Sequence, residues 1–320
     1  MNVGTWGGGW LWVNMDPDCE PLADYLFPAA KILDPFGLEN MRCKWRKWVH
    51  FDCNWKVALE AFNETYHVFT THPEFNKFGE FKGWAKAQGR HSNIGYDAPE
   101  DMAETKSKIR LGTGDPPRIS TAEMQVYTME ETNATTTATL VAAALRLVDE
   151  LPEGTPADKV LEHWLASARR DDEARGGVFW PTIPADILGQ SGTAWQLFPN
   201  FQIGQGLTSA LCYGGAPDPG YDPDKCIFEV SVFELYPKGG RAPPNGVGVH
   251  PPGGRSAVAQ CAAAGLLQHG RRPEGDEVAG FFPVHSRTRT ASAAPSTCTT
   301  SCRSTWAPGN PRPLAEEDGR

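Results

Sequence analysis

The sequence predicts an α+β domain, an antiparallel sheet with covering helices, followed by a tail of different character. Three observations carry this. Residues 226–237 (CIFEVSVFELYP) alternate side chains with the two-residue period of a strand. Residues 119–150 read as helix, and helix resumes after a turn in PEGTPADKV and continues to about Arg175. From Gly239 to Arg320 the chain is rich in Gly, Pro, Ala, Arg, Ser and Thr with no sustained apolar period, a composition that buries no core. Helices inserted among antiparallel strands define the class.

The elements follow in order. Residues 1–15 are Gly/Trp-rich, and alternating Trp10, Trp12 and Asn14 mark the end of a strand. DPDCEPLADYL is a turn leading into a short helix, and MRCKWRKWVHFDC (41–53) alternates charged and aromatic residues as a strand does. Asn54 is placed to cap a helix. Beyond it Trp55, Ala58, Leu59, Phe62 and Tyr66 recur at helical spacing on one face. Glu60, Glu64 and His67 would share a second stripe of that helix. Thr70, Thr71 and Pro73 stop it. Residues 119–150 form one long helix or a pair, PEGTPADKV is a turn and restart, and GGVFWPTIPADILGQSGTAWQLFPNFQIGQG turns to β structure. The expected organisation is a short N-terminal remnant at 1–15, a domain at 16–238 and a tail at 239–320.

A net charge of −9 argues against nucleic acid or an anionic membrane as partner. No apolar run approaches the roughly 18 residues of a membrane span, and the N-terminus lacks a signal peptide's basic start and long apolar core. The expected compartment is cytoplasmic. Cys19, Cys43, Cys53, Cys212, Cys226, Cys261, Cys298 and Cys302 are scattered, and none forms CxxC, CxH or CxxH. They read as ordinary thiols.

The chemistry concentrates in NWKVALEAFNETYHVFTTHPE (54–74), which carries His67 and His72 beside Glu60 and Glu64. Two histidines from a helix end plus one distant carboxylate make the facial triad that holds non-haem Fe(II) with open positions. Five residues of helix separate two side chains by about 140°, so the two histidines converge only if the helix ends between them. Without its flanks an H-x4-H pair is more often a cap or a satisfied surface group than a metal site.

The pattern NWKxxxEaFxExYHvxxxHPe resembles the catalytic domain of Rieske-type aromatic ring-hydroxylating dioxygenase α subunits. TWGGGWLWVNMDPDCEPLADYL is similar to the junction after that family's Rieske domain, and WQLFPNFQI and GYDPDKCIFEVSVFELYP resemble its later core strands. The resemblance covers about residues 1–238. It implies a helix-grip-like sheet, a mononuclear Fe(II) bound by His67 and His72, and O2 as co-substrate. It implies Glu64 as the acidic bridge for electrons arriving from a neighbouring subunit, where the family usually has Asp, and Glu60 in support near the iron. Also implied are an aromatic small-molecule substrate, ferredoxin or reductase electron donors, and a homotrimer or α3β3 assembly.

Two departures stand out. The CxH and CxxH motifs that bind the family's [2Fe–2S] cluster are absent. The downstream Asp that completes the iron site, in a stretch like QDFSNMAxVQxGM, is missing as well, so the third carboxylate ligand is unknown. Asp222 and Asp224 read as turn formers before a strand. A reading-frame change accounts for the second departure. Shifted by one base, codons for GLLQHGRRPEGDEV permit DFSSMAAVQRGMRS. Shifted by two, HSRTRTASAAPSTCTTSCRSTWA permits LPNPYRERRAVNLHHKLPEYMG. Frame would be lost near Gly239 and slip again near Ala279. Coding DNA without family-like text in the other frames would sink this explanation.

The expected function is that of a terminal oxygenase component, impaired in the chain as it stands. The alternative is an inactive fragment or a remnant that binds apolar ligands without catalysis. A zinc hydrolase of HExxH type is disfavoured, since Val68 follows His67 and the spacing is one residue longer.

Overall fold

The computed structural model describes residues 1–65, 67, 82–97, 117–176, 180–237 and 246–249. Ten strands and eight α-helices lie among them. A hairpin, β1 (Asn2–Trp6) and β2 (Trp10–Asn14), forms its own two-stranded sheet. Two short helices follow, α1 (Leu22–Tyr25) and α2 (Ala29–Leu33). The main sheet has eight strands in the order β10-β3-β9-β8-β7-β6-β5-β4. They are β3 (Met41–Phe51), β4 (Lys82–Gln88), β5 (His91–Asp97), β6 (Ala194–Leu197), β7 (Phe201–Gln205), β8 (Ser209–Pro217), β9 (Cys226–Leu235) and β10 (Gly246–Val249). Neighbours from β3 through β4 pair antiparallel, as the α+β expectation requires.

The helices are α3 (Trp55–Glu60), α4 (Pro117–Glu131), α5 (Ala138–Leu145), α6 (Leu147–Glu150), α7 (Ala157–Ala174) and α8 (Ala185–Ser191). Residues 119–150 are therefore a set of helices rather than one. Asn133 and Thr135 take positive φ at the break, and Thr137 caps α5 by accepting from Leu140 N. Helix α8 sits inside the stretch expected to be β structure. Pro184 precedes it, and Gly192 ends it with φ 60°, which suits a glycine.

The centre of the sheet is buried on both faces. Alternation along β8 sends Ala210 and Cys212 to one face and Leu211 and Tyr213 to the other. On the first face Trp195, Leu197, Ile203 and Leu235 join the same core as α1, α2, α5 and α7. Trp10 of the hairpin packs there on Phe201 and Phe233, with ring centroids 5.1 and 4.9 Å away. On the second face Trp45, Val49, Phe51, Tyr213, Phe228, Val230 and Val232 pack with Ala58, Leu59, Ala61 and Phe62. Trp45 donates its indole N–H to Asn133 O at 3.1 Å, tying this face to the end of α4.

At the C-terminal side, Gly246–Val249, within the 239–320 stretch, pairs parallel with β3, from Gly246 opposite Trp45 to Val249 opposite Trp48. Ladder bonds use main-chain groups that every non-proline residue carries, so an edge strand makes few demands on sequence. The rest of 239–320 lies outside the described residues. Among the described residues no helix is long and apolar enough to cross a membrane. The described cysteines, Cys19, Cys43, Cys53, Cys212 and Cys226, are free thiols.

Candidate functional site

The site begins where β3 ends. Asn54 accepts from Lys56 N at 3.0 Å and so caps α3, while its own amide donates to Pro223 O at 2.9 Å. The helix lies on the second face of the sheet with Ala58 and Leu59 fully buried. Gly215 makes this approach possible, since a Cβ there would meet Leu59 Cδ1 at 2.8 Å.

The helix then stops sooner than its periodicity suggests. It ends at Glu60, and Phe62 N and Asn63 N donate to Leu59 O and Glu60 O across three residues, as in a tightening turn. The sheet supplies the reason. Gln202 of β7 donates to Phe62 O at 2.6 Å and to Asn63 Oδ1 at 3.3 Å, and Asn63 donates to Gln196 Oε1 of β6. Phe62 stacks on Tyr213 with centroids 4.2 Å apart. Gln202 has taken the Phe62 carbonyl, a group that another helical turn would use. The single stripe expected for Glu60, Glu64 and His67 is thereby broken between Glu60 and Glu64.

Glu64 and His67 are nevertheless brought together. The Glu64 carboxylate contacts His67 Nδ1 at 2.8 Å through Oε1 and accepts the His67 backbone N–H at 2.8 Å through Oε2. The second bond has the form of an N-cap. The His67 side chain is 8% exposed, and its ring meets the edge of Phe62 at 6.1 Å. An ionised carboxylate only accepts, so Nδ1 carries the hydrogen of this contact. Holding one ring nitrogen on a carboxylate in this way is the arrangement that orients metal-ligating histidines. Thr65, buried between them, sits against Gly83 of β4.

Glu60 stands apart at the helix end. Loss of solvation pushes its carboxyl up, and Lys56 opposes the shift. His72 lies outside the described residues. Among the described residues no group of three His, Cys, Asp or Glu side chains is placed to hold a metal. Asp222 and Asp224 behave as turn formers: Asp222 accepts from Asp224 N at 3.0 Å and pairs with Lys225 at 3.3 Å. His67 therefore fits one ligand position of an iron site, with Glu64 orienting it. The described cysteines do not fit a [2Fe–2S] cluster. Cys53 and Cys226 are buried in the core and interact, which lowers the first thiol and raises the second, and neither stands with a histidine in a CxH or CxxH motif.

Sequence reasoning missed Gln196, Gln202 and Tyr213. A faint signal was available, because each Gln stands between apolar neighbours, in WQLF and in FQI. Their pairing with Asn63 bridges more than 130 positions and could not be read locally.

Residues 38–233 match the profile of a family described as ring hydroxylating alpha subunit (catalytic domain). That span lies within the predicted 16–238 domain and includes Glu60, Glu64, His67 and His72. The glycine betaine monooxygenase oxygenase subunits of two Pseudomonas aeruginosa strains are each 26% identical over 70 residues, which is 22% of this chain and 16% of the relative. Among solved structures, the quaternary ammonium Rieske monooxygenase CntA with L-carnitine aligns at a TM-score of 0.39 and 12% identity, covering 73% of this chain and 41% of that one. The same enzyme with the inhibitor MMV12 gives 0.39 and 12%, covering 74% and 42%. The chain thus spans well under half the length of these relatives. The family match extends over more than half of this chain, and the chain belongs to the ring hydroxylating alpha subunit (catalytic domain) family.

Proposed function

We propose that this chain is the catalytic part of a terminal oxygenase component that inserts oxygen from O2 into a small organic substrate at a mononuclear non-haem Fe(II). The observation that carries the proposal is the Glu64–His67 contact inside the family-matched span. Iron in such a site supplies the open positions and redox chemistry that O2 requires. The protein's part is to orient His67 through its Nδ1 contact with Glu64 and to exclude water with Phe62, Tyr213 and Phe228. His72 is the second proposed ligand, and no third carboxylate ligand is assigned. Glu60 is given a supporting role near the iron on the family resemblance alone.

Glu64 is also the proposed route for electrons from a neighbouring subunit, in a homotrimer or α3β3 assembly fed by ferredoxin or reductase donors. No step is assigned to a [2Fe–2S] cluster, since the described cysteines do not fit one and the sequence has no CxH or CxxH motif. Residues 16–238 are read as the catalytic domain.

The family description favours an aromatic substrate. A second substrate reading, a quaternary ammonium compound, rests on the glycine betaine and carnitine relatives. The full chain would be loaded with Fe(II) without oxygen, freed of excess metal and analysed for iron. Wild type is expected to retain iron, weakly with two ligands, and His67→Ala to retain none. Stoichiometric iron in the variant would refute the site. Oxygen uptake with benzoate-like and betaine-like compounds, using a chemical reductant, separates the two substrate classes.

A further inference from the structure

We propose that Gln202, together with Gln196 and Asn63, positions the Glu64–His67 pair: an amide relay from the sheet holds the turn from which the pair projects. The proposal deepens the reading of His67 as a ligand, and rests on that reading only for what the positioned ring goes on to do.

Ser92, Gln196, Gln202 and Tyr213 are successive partners across β5, β6, β7 and β8, and so occupy one rung of the sheet on its second face. Phe62 and Asn63 lie over that rung. Tyr213 takes the Phe62 ring, Gln202 takes the Phe62 carbonyl and Asn63 Oδ1, and Gln196 takes the Asn63 amide. Ser92 donates to Gln196 Oε1 at 3.4 Å, the weakest link of the relay. The next residue is Glu64, whose two oxygens fix His67 by ring and by backbone.

The orientation of Gln202 is not arbitrary. Its Nε2 lies 2.6 Å from Phe62 O, a distance at which two oxygens would repel, so the nitrogen faces the turn. Its Oε1 is then left buried without a hydrogen-bond partner among the described residues, on a side chain 1% exposed. A buried acceptor without a donor is costly, and a leucine or methionine in this apolar setting would avoid the cost. What such a residue could not do is grip the Phe62 carbonyl and Asn63. The donor end of Gln202 is what the site uses, and its work is to place the turn.

The test is hydrogen exchange in the full-length chain, followed by NMR or by fragmentation that isolates the His67 amide. That amide is protected by Glu64 Oε2, so it reports the pair directly and needs no metal or turnover. In Gln202→Met and in Asn63→Ala, exchange at His67 is expected to rise about tenfold or more while α7 amides keep their wild-type rates. Unchanged exchange at His67 in both variants would overturn the proposal. So would an equal rise at His67 and across α7, which would mean global destabilisation. If Gln202→Met does not fold, Asn63→Ala gives the same two readings. A tenfold rise in a protein that binds no iron would leave the positioning role standing and remove the metal reading, so the two failures are distinguishable.

Discussion

Replacing Gly83 with Ala tests how closely β4 is fitted to the site. A Cβ built on Gly83 falls well inside van der Waals contact with Thr65 Oγ1 and Thr65 Cβ, and 3.0 Å from Thr65 Cγ2. Non-bonded carbons sit comfortably at roughly 3.5–4.0 Å. The new atom therefore overlaps Thr65 Cβ, and no rotation of the Thr65 side chain relieves it, because that atom is fixed to the backbone. Either β4 or the 64–67 turn must move. Overpacking of this kind costs about 1–3 kcal/mol, and for a domain of this size each kcal/mol lowers the melting temperature by about 2–4 °C. Urea unfolding followed by tryptophan fluorescence would give the free-energy change, and Thr65→Gly in the Gly83→Ala background should recover part of it by removing the clashing atom. A cost below about 0.5 kcal/mol for Gly83→Ala, the size of an ordinary surface change, would refute the claim that Thr65 is seated on the glycine.

Two further predictions concern buried polar groups. Trp180→Phe removes the indole N–H that reaches Asp172 Oδ2 at 2.7 Å, leaving Thr139 to donate at 2.7 Å to a carboxylate that is 6% exposed. A loss of about 1–3 kcal/mol is expected in urea unfolding, and an unchanged midpoint would contradict it. His91 accepts from Phe198 N at 3.1 Å through Nδ1 and meets Tyr25 O at 2.9 Å through Nε2, an arrangement only the neutral ring allows. Burial pushes its pKa below the ordinary 6.5, with the Arg90 charge adding to the shift and the bond to Tyr25 O opposing it. The unfolded chain then binds more protons between the depressed folded value and 6.5. This contribution to stability is complete above 6.5 and is lost as pH falls from there through the folded pKa. His91→Gln should flatten the decline in stability below pH 6.5, and identical pH slopes for the two proteins would show that His91 plays no part.

Much of the fold was legible because local patterns agreed with it. The alternation in 41–53 and 226–237 became β3 and β9, paired with each other from Met41 opposite Leu235 to Phe51 opposite Cys226. Asn54 is a cap, and the break after 131 divides the helices. Strands β4, β5 and β8 went unassigned because their residues are held by neighbours in the sheet more than by an apolar period. Gly95 and Gly192, for example, both make room for Trp84.

The sequence by itself determined the class of the fold, the start of α3 and the identity of the residues around His67, because period, capping and motif spacing are local properties of the chain. Only the tertiary structure decided where α3 ends, and with it how Glu64 meets His67. A helix continues until something offers its backbone a better partner. Here that partner is an amide of β7, 140 residues away, whose effect on the Phe62 carbonyl exists only once the sheet has formed.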